Sequence, residues 1–168
     1  MTAVLLFSIL SFMGCGYERF QKRLDNQEFD HWYALRVYMT ENQRKTYLKF
    51  KTRDERDAYL KELGLWDRFY SYSDEERQEI VAGEVKRGWT KDKVEMAWGA
   101  PHDRQKAMGR QAVRSDIYIY RFEQQADGRI LIWEPNSKTA YKAVRLFVRE
   151  VIIDDDVVAE IRERDASW

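Results

Sequence analysis

Few residues in this 168-residue chain are suited to chemistry, and their number and spacing limit what they can do. There are two histidines, His31 and His102, and one cysteine, Cys15. With the thiol engaged elsewhere, neither Cys/His catalysis nor a His-rich metal site is expected. The run Asp154-Asp155-Asp156 could bind a hard cation, but no Asp/Asn/Gly loop of calcium-binding spacing surrounds it. A tight solvated turn is the better reading. His102 and Asp103 could form an acid–base pair, although neighbours in sequence usually point apart. No set of roles converges, so the expectation is a protein that is not an enzyme and carries no metal and no cofactor.

Cys15 has a more definite reading. Met1 to Gly14 contains no charged side chain, and Ala3 to Met13 is an apolar run broken only by Ser8 and Ser11. About 20 apolar residues are needed to span a bilayer as a helix, and this run stops at Gly14-Cys15-Gly16, before Glu18, Arg19, Lys22 and Arg23. It therefore reads as an export signal rather than a permanent anchor. Phe12-Met13-Gly14-Cys15 resembles a lipobox, in which a small residue precedes a cysteine that is acylated before the signal is removed. Acylation would also account for a lone thiol in an exported chain. The expected organisation is a signal peptide over 1–14, a lipidated leader with a first helix over 15–38, and one α+β domain over 39–168.

The 29 basic and 29 acidic residues all follow the apolar segment and leave net charge zero. Such a balance gives no global attraction to nucleic acid or to an anionic membrane. Aromatic residues make up 14% of the chain, six of them tryptophan, and must be core or interaction surface. The candidate protein-binding positions are the aromatic strand residues Tyr118, Tyr120 and Phe122 and a basic loop bearing Arg104, Lys106, Arg110 and Arg114. The alternative for the aromatics is burial beneath helices. A glycan binder would instead line a pocket with Trp98 and Trp133.

The positioning elements follow from local signals. Tyr17 to Tyr38 reads as helical. Thr40–Gln43, Thr52–Glu55 and Ser73–Glu76 have the spacing of capping boxes and predict three short helices. Their apolar stripes are Tyr47 with Phe50, then Tyr59, Leu60 and Leu63, then Ile80, Val81 and Val85. Gly64 and Gly88 serve as stops. The dense run Arg53 to Asp57 reads as a solvated helix face. A fourth helix starts at the N-cap Thr90, buries Val94, Ala97 and Trp98, and ends at Gly99-Ala100-Pro101. The period then changes to two over Asp116–Phe122 and Arg129–Trp133, with Asp127-Gly128 as a hairpin turn. Ala143–Arg149 alternates Val144, Leu146 and Val148 against Arg145, Phe147 and Arg149, with one face wet. After the aspartate turn, Val157, Ala159 and Ile161 alternate as a fourth strand, although the run also suits a final helix. The expected fold is α+β: several short helices, then an antiparallel three- to four-stranded meander with the helices on one sheet face.

Gly88, Trp89, Thr90, Val94, Gly99 and Pro101 lie in a stretch that resembles the signature of the BamE/SmpA/OmlA family of outer-membrane lipoproteins. The similarity extends over roughly 76–162, with Ile117–Phe122 as the counterpart of that family's aromatic strand. These positions are structural: helix end, cap, packing residue and turn. The resemblance implies a non-enzymatic lipoprotein, anchored at the outer membrane through Cys15 and facing the periplasm. Such a protein docks to envelope proteins, among them the β-barrel assembly machinery. A second resemblance is to GWxTD-domain proteins, through Met39-Thr-Glu-Asn42 with Leu48, the Glu55-Arg56 helix, Gly88-Trp89 and Trp98–Asp103; it implies an exported binding module for a glycan or small ligand.

Overall fold

The computed structural model describes residues 23–133 and 143–167. Cys15 and the signal-like segment 1–14 lie outside these residues. All three expected capping boxes form. Thr40 opens α2 (Glu41–Tyr47), Thr52 opens α3 (Arg53–Glu62) and Ser73 opens α5 (Asp74–Ala82). In each, the hydroxyl accepts the N3 amide while the N3 side chain accepts the cap amide, so two donors left open by helix geometry are satisfied together. An unanticipated fourth box, Asp25 with Glu28, opens α1 (Asn26–Leu35), which runs into a 3-10 turn over Arg36–Tyr38. Helix α4 (Leu65–Tyr70) carries no side-chain cap; Gly64, at φ 68°, ends α3 and starts it. Thr90 caps α6 (Lys91–Trp98) as expected.

Gly88 does not end the preceding helix. That role falls to Gly83, left-handed at φ 73°, whose amide bonds back to Glu79 and Ile80 while the Glu84 amide reaches Glu79 O. This is the glycine stop that a helix C-terminus favours, and it leaves Val85 beyond the helix. Gly88 instead sits in a turn whose amide donates to Val158 O (2.9 Å), while Val158 N donates to Trp89 O (2.8 Å). Thr90 bridges Val157. The start of α6 is thereby stitched to the last hairpin.

Among the described residues the sheet has five antiparallel strands: β1 (Asp103–Lys106), β2 (Ser115–Gln125), β3 (Ile130–Ile132), β4 (Ala143–Asp154) and β5 (Val157–Asp165). The α+β class holds, with helices before sheet. The strand count exceeds the expected three or four because β1, formed by Asp103-Arg-Gln-Lys106, is fully exposed and shows no apolar alternation. The order also departs from a meander, since β2 lies beside β4 while β1 and β3 share its other edge. The fourth run is a strand, not a helix.

Helices cover one face. Trp98 packs edge-to-face on Tyr120 and Phe122 at 5.2 and 5.1 Å, and Phe122 stacks on Phe147 at 5.1 Å. One core joins these rings to Trp32, Leu35, Ile80 and Val94. The cross-strand pairs Tyr118–Val151, Tyr120–Arg149 and Phe122–Phe147 fix which side of β4 turns inward. The arginine-bearing side of β4 is therefore the helix side; on the other side Val144 is 66% exposed while Val148 and Ile152 are buried. Arg145 and Arg149 remain there because their guanidinium groups lie over the Phe147 ring and both pair with Glu163. In β5 the register slips at Ile152/Ile153, so Ile153 pairs Val158 and Ile152 pairs Glu160. Ala159 is the extra residue of this bulge. Val158, not Val157, therefore faces the core with Ile161.

Candidate functional site

The expected binding surface does not form as one exposed patch. Tyr118, Tyr120 and Phe122 are 2%, 1% and 2% exposed beneath the helices. They are core, and burial leaves the Tyr120 hydroxyl neutral, its pKa pushed up, while it donates to Gly99 O at 3.1 Å. Arg104 is not in the loop either. It sits in β1 with its guanidinium over the Tyr118 ring (4.7 Å), paired to Glu95 at 3.1 Å. Arg110 and Arg114 remain exposed or half-buried on the β1–β2 connection.

That connection, 107–114, is held against the β4–β5 turn. Arg110 forks onto Asp154, with Nε donating to both carboxylate oxygens (2.8 and 2.9 Å) and Nη2 to Oδ2 (2.6 Å). Ser115 Oγ adds a bond to Asp154 Oδ1 at 2.7 Å. Arg110 first, then Ser115, hold the Asp154 carboxyl below its ordinary range. Asp155 Oδ1 accepts the Arg114 amide at 2.9 Å, and the Asp155 amide donates to Arg114 O at 2.9 Å. Arg114 pairs with Asp156, whose carbonyl accepts the Lys91 amide at 2.8 Å. Asp155 and Asp156 are left-handed, at φ 47° and 68°, a conformation aspartate tolerates in a hairpin turn. Each aspartate of the run is thus used as a brace. Among the described residues no group of three His, Cys, Asp or Glu could hold a metal ion.

The braced loop presents two apolar side chains to solvent: Met108 is 88% exposed and Val113 is 99% exposed. Val157, on the bracing turn, is 43% exposed. Of the four large exposed apolar residues among those described, three lie at this corner. Composition could not single them out, because Met108 and Val113 are isolated within a basic stretch.

The other candidates resolve differently. Trp98 and Trp133 share no pocket: Trp98 is core, with Nε1 donating to Gly83 O (2.9 Å), while Trp133 bonds to Arg121 O beyond β3 and meets His102 edge-to-face at 4.8 Å. His102 and Asp103 share no hydrogen bond. Asp103 accepts from Gln105 Nε2 (2.9 Å) and the Arg104 amide (2.8 Å), which keep its carboxyl ionised below the usual range. Sequence reasoning missed His31, buried with Nε2 2.7 Å from the Tyr70 hydroxyl and Nδ1 3.6 Å from Asp57. It also missed Arg56, which leaves the supposedly solvated face of α3 to pair with Glu28. No described helix is long and apolar enough to cross a membrane. No protein-family model matches the chain, and neither any curated protein nor any solved structure matches it significantly.

Proposed function

We propose that this chain is a non-catalytic docking protein, tethered to the outer membrane by acyl chains on Cys15 and facing the periplasm. It engages other envelope proteins through the 107–114 corner. The observation that carries the reading is the pair Met108 and Val113, almost wholly exposed on a segment braced by Asp154, Asp155 and Asp156. Apolar surface gains about 25 cal/mol per Å² when a partner covers it, and a loop already held in one conformation loses less entropy on binding. Arg110 and Arg114 are mainly braces in this view, with Arg114 at the polar rim. The resemblance at Gly88 to Pro101 suggests the β-barrel assembly machinery as partner.

The test is a crosslinked pull-down from detergent-solubilised envelopes, comparing the native chain with Cys15→Ala and with the double variant Met108→Asp/Val113→Asp. Partners should be recovered with the native chain and depleted with both variants, while the thermal midpoint of the double variant stays unchanged. Undiminished recovery with the double variant would remove the corner as the docking surface. Recovery of partners other than β-barrel assembly subunits would remove that partner assignment.

A further inference from the structure

The face of the sheet that no described helix covers carries its own arrangement, sharing no residue with the 107–114 corner. Strand register places Arg121, Val148 and Arg164 in one row across β2, β4 and β5. Trp133 continues the row through its amide bond to Arg121 O (2.9 Å). The next row is Asp103, Ile119, Glu150 and Arg162. Here lies a depression of about 390 Å³ with Ile119 and Val148 as its apolar floor and Arg121, Arg164, His102 and Gln105 among its walls. Val148 is buried yet stands outside the main core.

Two arginines bracket one valine, with the carboxylates of Glu150 and Asp103 in the adjacent row. The Arg121 guanidinium lies over the Trp133 ring at 5.3 Å, which orients it. Arg164 donates from Nε to Glu150 Oε1 at 3.0 Å. Beside them, Gln105 Nε2 donates to Asp103 Oδ2, setting an amide and a carboxylate side by side. The His102 Nδ1 atom is shielded and makes no hydrogen bond.

We propose that this depression binds a sugar acid, its carboxylate bridging Arg121 and Arg164 and its ring resting on Ile119 and Val148. A guanidinium group favours a planar carboxylate through charge-assisted hydrogen bonds. Glu150 and Asp103 in the next row disfavour a dianion such as phosphate. The Gln105–Asp103 pair offers acceptors to ring hydroxyls, which a simple short-chain acid would leave unused.

The experiment follows the Trp133 indole N–H resonance of the full chain in detergent, assigned with Trp133→Phe, during titration with glucuronate, glucose, inorganic phosphate and N-acetyl-dialanine. Glucuronate should give a saturable shift with Kd in about the millimolar range, and glucose should bind at least about tenfold more weakly. The double variant Arg121→Gln/Arg164→Gln should lose the shift. The single variant Arg164→Gln, at an exposed position, should weaken it without any folding cost. No saturation by glucuronate, equal affinity for glucose, or full affinity in Arg164→Gln would overturn the proposal. Phosphate or the dipeptide binding as tightly as glucuronate would overturn the assignment to a sugar acid.

Discussion

Glu28 and Arg56 form a buried ion pair between α1 and α3, and its completeness explains why it is tolerated. Arg56 Nε donates to Glu28 Oε1 at 2.8 Å, Arg56 Nη1 donates to Phe50 O at 2.9 Å, and Glu28 Oε2 accepts the Asp25 amide at 2.9 Å. Removing one partner strands a buried charge, which costs about 3–5 kcal/mol. Arg56→Met should lower the unfolding free energy measured in urea by that amount, and Glu28→Leu/Arg56→Met should recover much of the loss. Two nearby groups on α1 make stability depend on pH in opposite senses. Burial lowers the His31 pKa below 6.5, and Asp57 offsets this only in part. The unfolded chain therefore takes up this proton first, and the stability His31 contributes is lost as pH falls through 6.5. Burial, then Asp25, raises Asp30 from 3.8 to about 6. Its contribution is present below 3.8 and lost as pH rises through about 6. Asp30→Asn should accordingly raise the unfolding midpoint near neutral pH and leave it unchanged below 3.8. On acidification through 6.5, His31→Gln should gain stability relative to the native chain.

At the scale of the element, α6 carries the segment on which the family resemblance rests, and each end is joined to the sheet. Its start is stitched to β5 through Gly88, Trp89 and Thr90. Its end is Gly99, at φ 77° and ψ −161°, whose carbonyl accepts from Tyr120 while Tyr33 donates to Ala97 O. That backbone conformation is essentially open to glycine alone, and side chains forced into it cost roughly 1–3 kcal/mol. Gly88, at φ 83° with open space where a Cβ would stand, meets only the milder left-handed penalty of about 1 kcal/mol. Gly99→Ala should therefore lower the melting temperature more than Gly88→Ala, and equal losses would show that the α6–sheet turn is less constrained than its geometry implies.

For the whole molecule, one sheet separates two environments. The helix side holds the aromatic core, and the other side and the corner at 107–114 hold the candidate binding surfaces. Changes on the two sides should have separable effects. Phe122→Ala opens a cavity beside Trp98 and Phe147 and should cost about 3–5 kcal/mol. Met108→Asp/Val113→Asp removes no packing and should leave the calorimetric midpoint in place. A large loss of stability from the loop variant would mean that the two side chains pack in solution.

The helices were legible in the sequence wherever a hydroxyl stood three residues before Glu or Gln, because a capping box is completed within a single turn and needs nothing distant. Thr40, Thr52 and Ser73 are of this kind, and Thr90 is an equally local cap without the reciprocal partner. The alternating runs identified strands for the same local reason. Which side of a strand faces the core is set by cross-strand register, and a bulge of one residue reverses it. The arginine side of β4 and the Val157 side of β5 could thus be placed only by tertiary pairing. β1, lacking apolar alternation, exists through its backbone bonds to β2. The sequence by itself determined the type of the capped helices and of the alternating strands, the α+β class and a reading for Cys15. Tertiary structure alone decided that Tyr118, Tyr120 and Phe122 are core, that the aspartate turn braces Met108 and Val113, and that Arg121 and Arg164 share a face. Each of these depends on contacts between residues remote in the chain, and local periodicity carries no record of them.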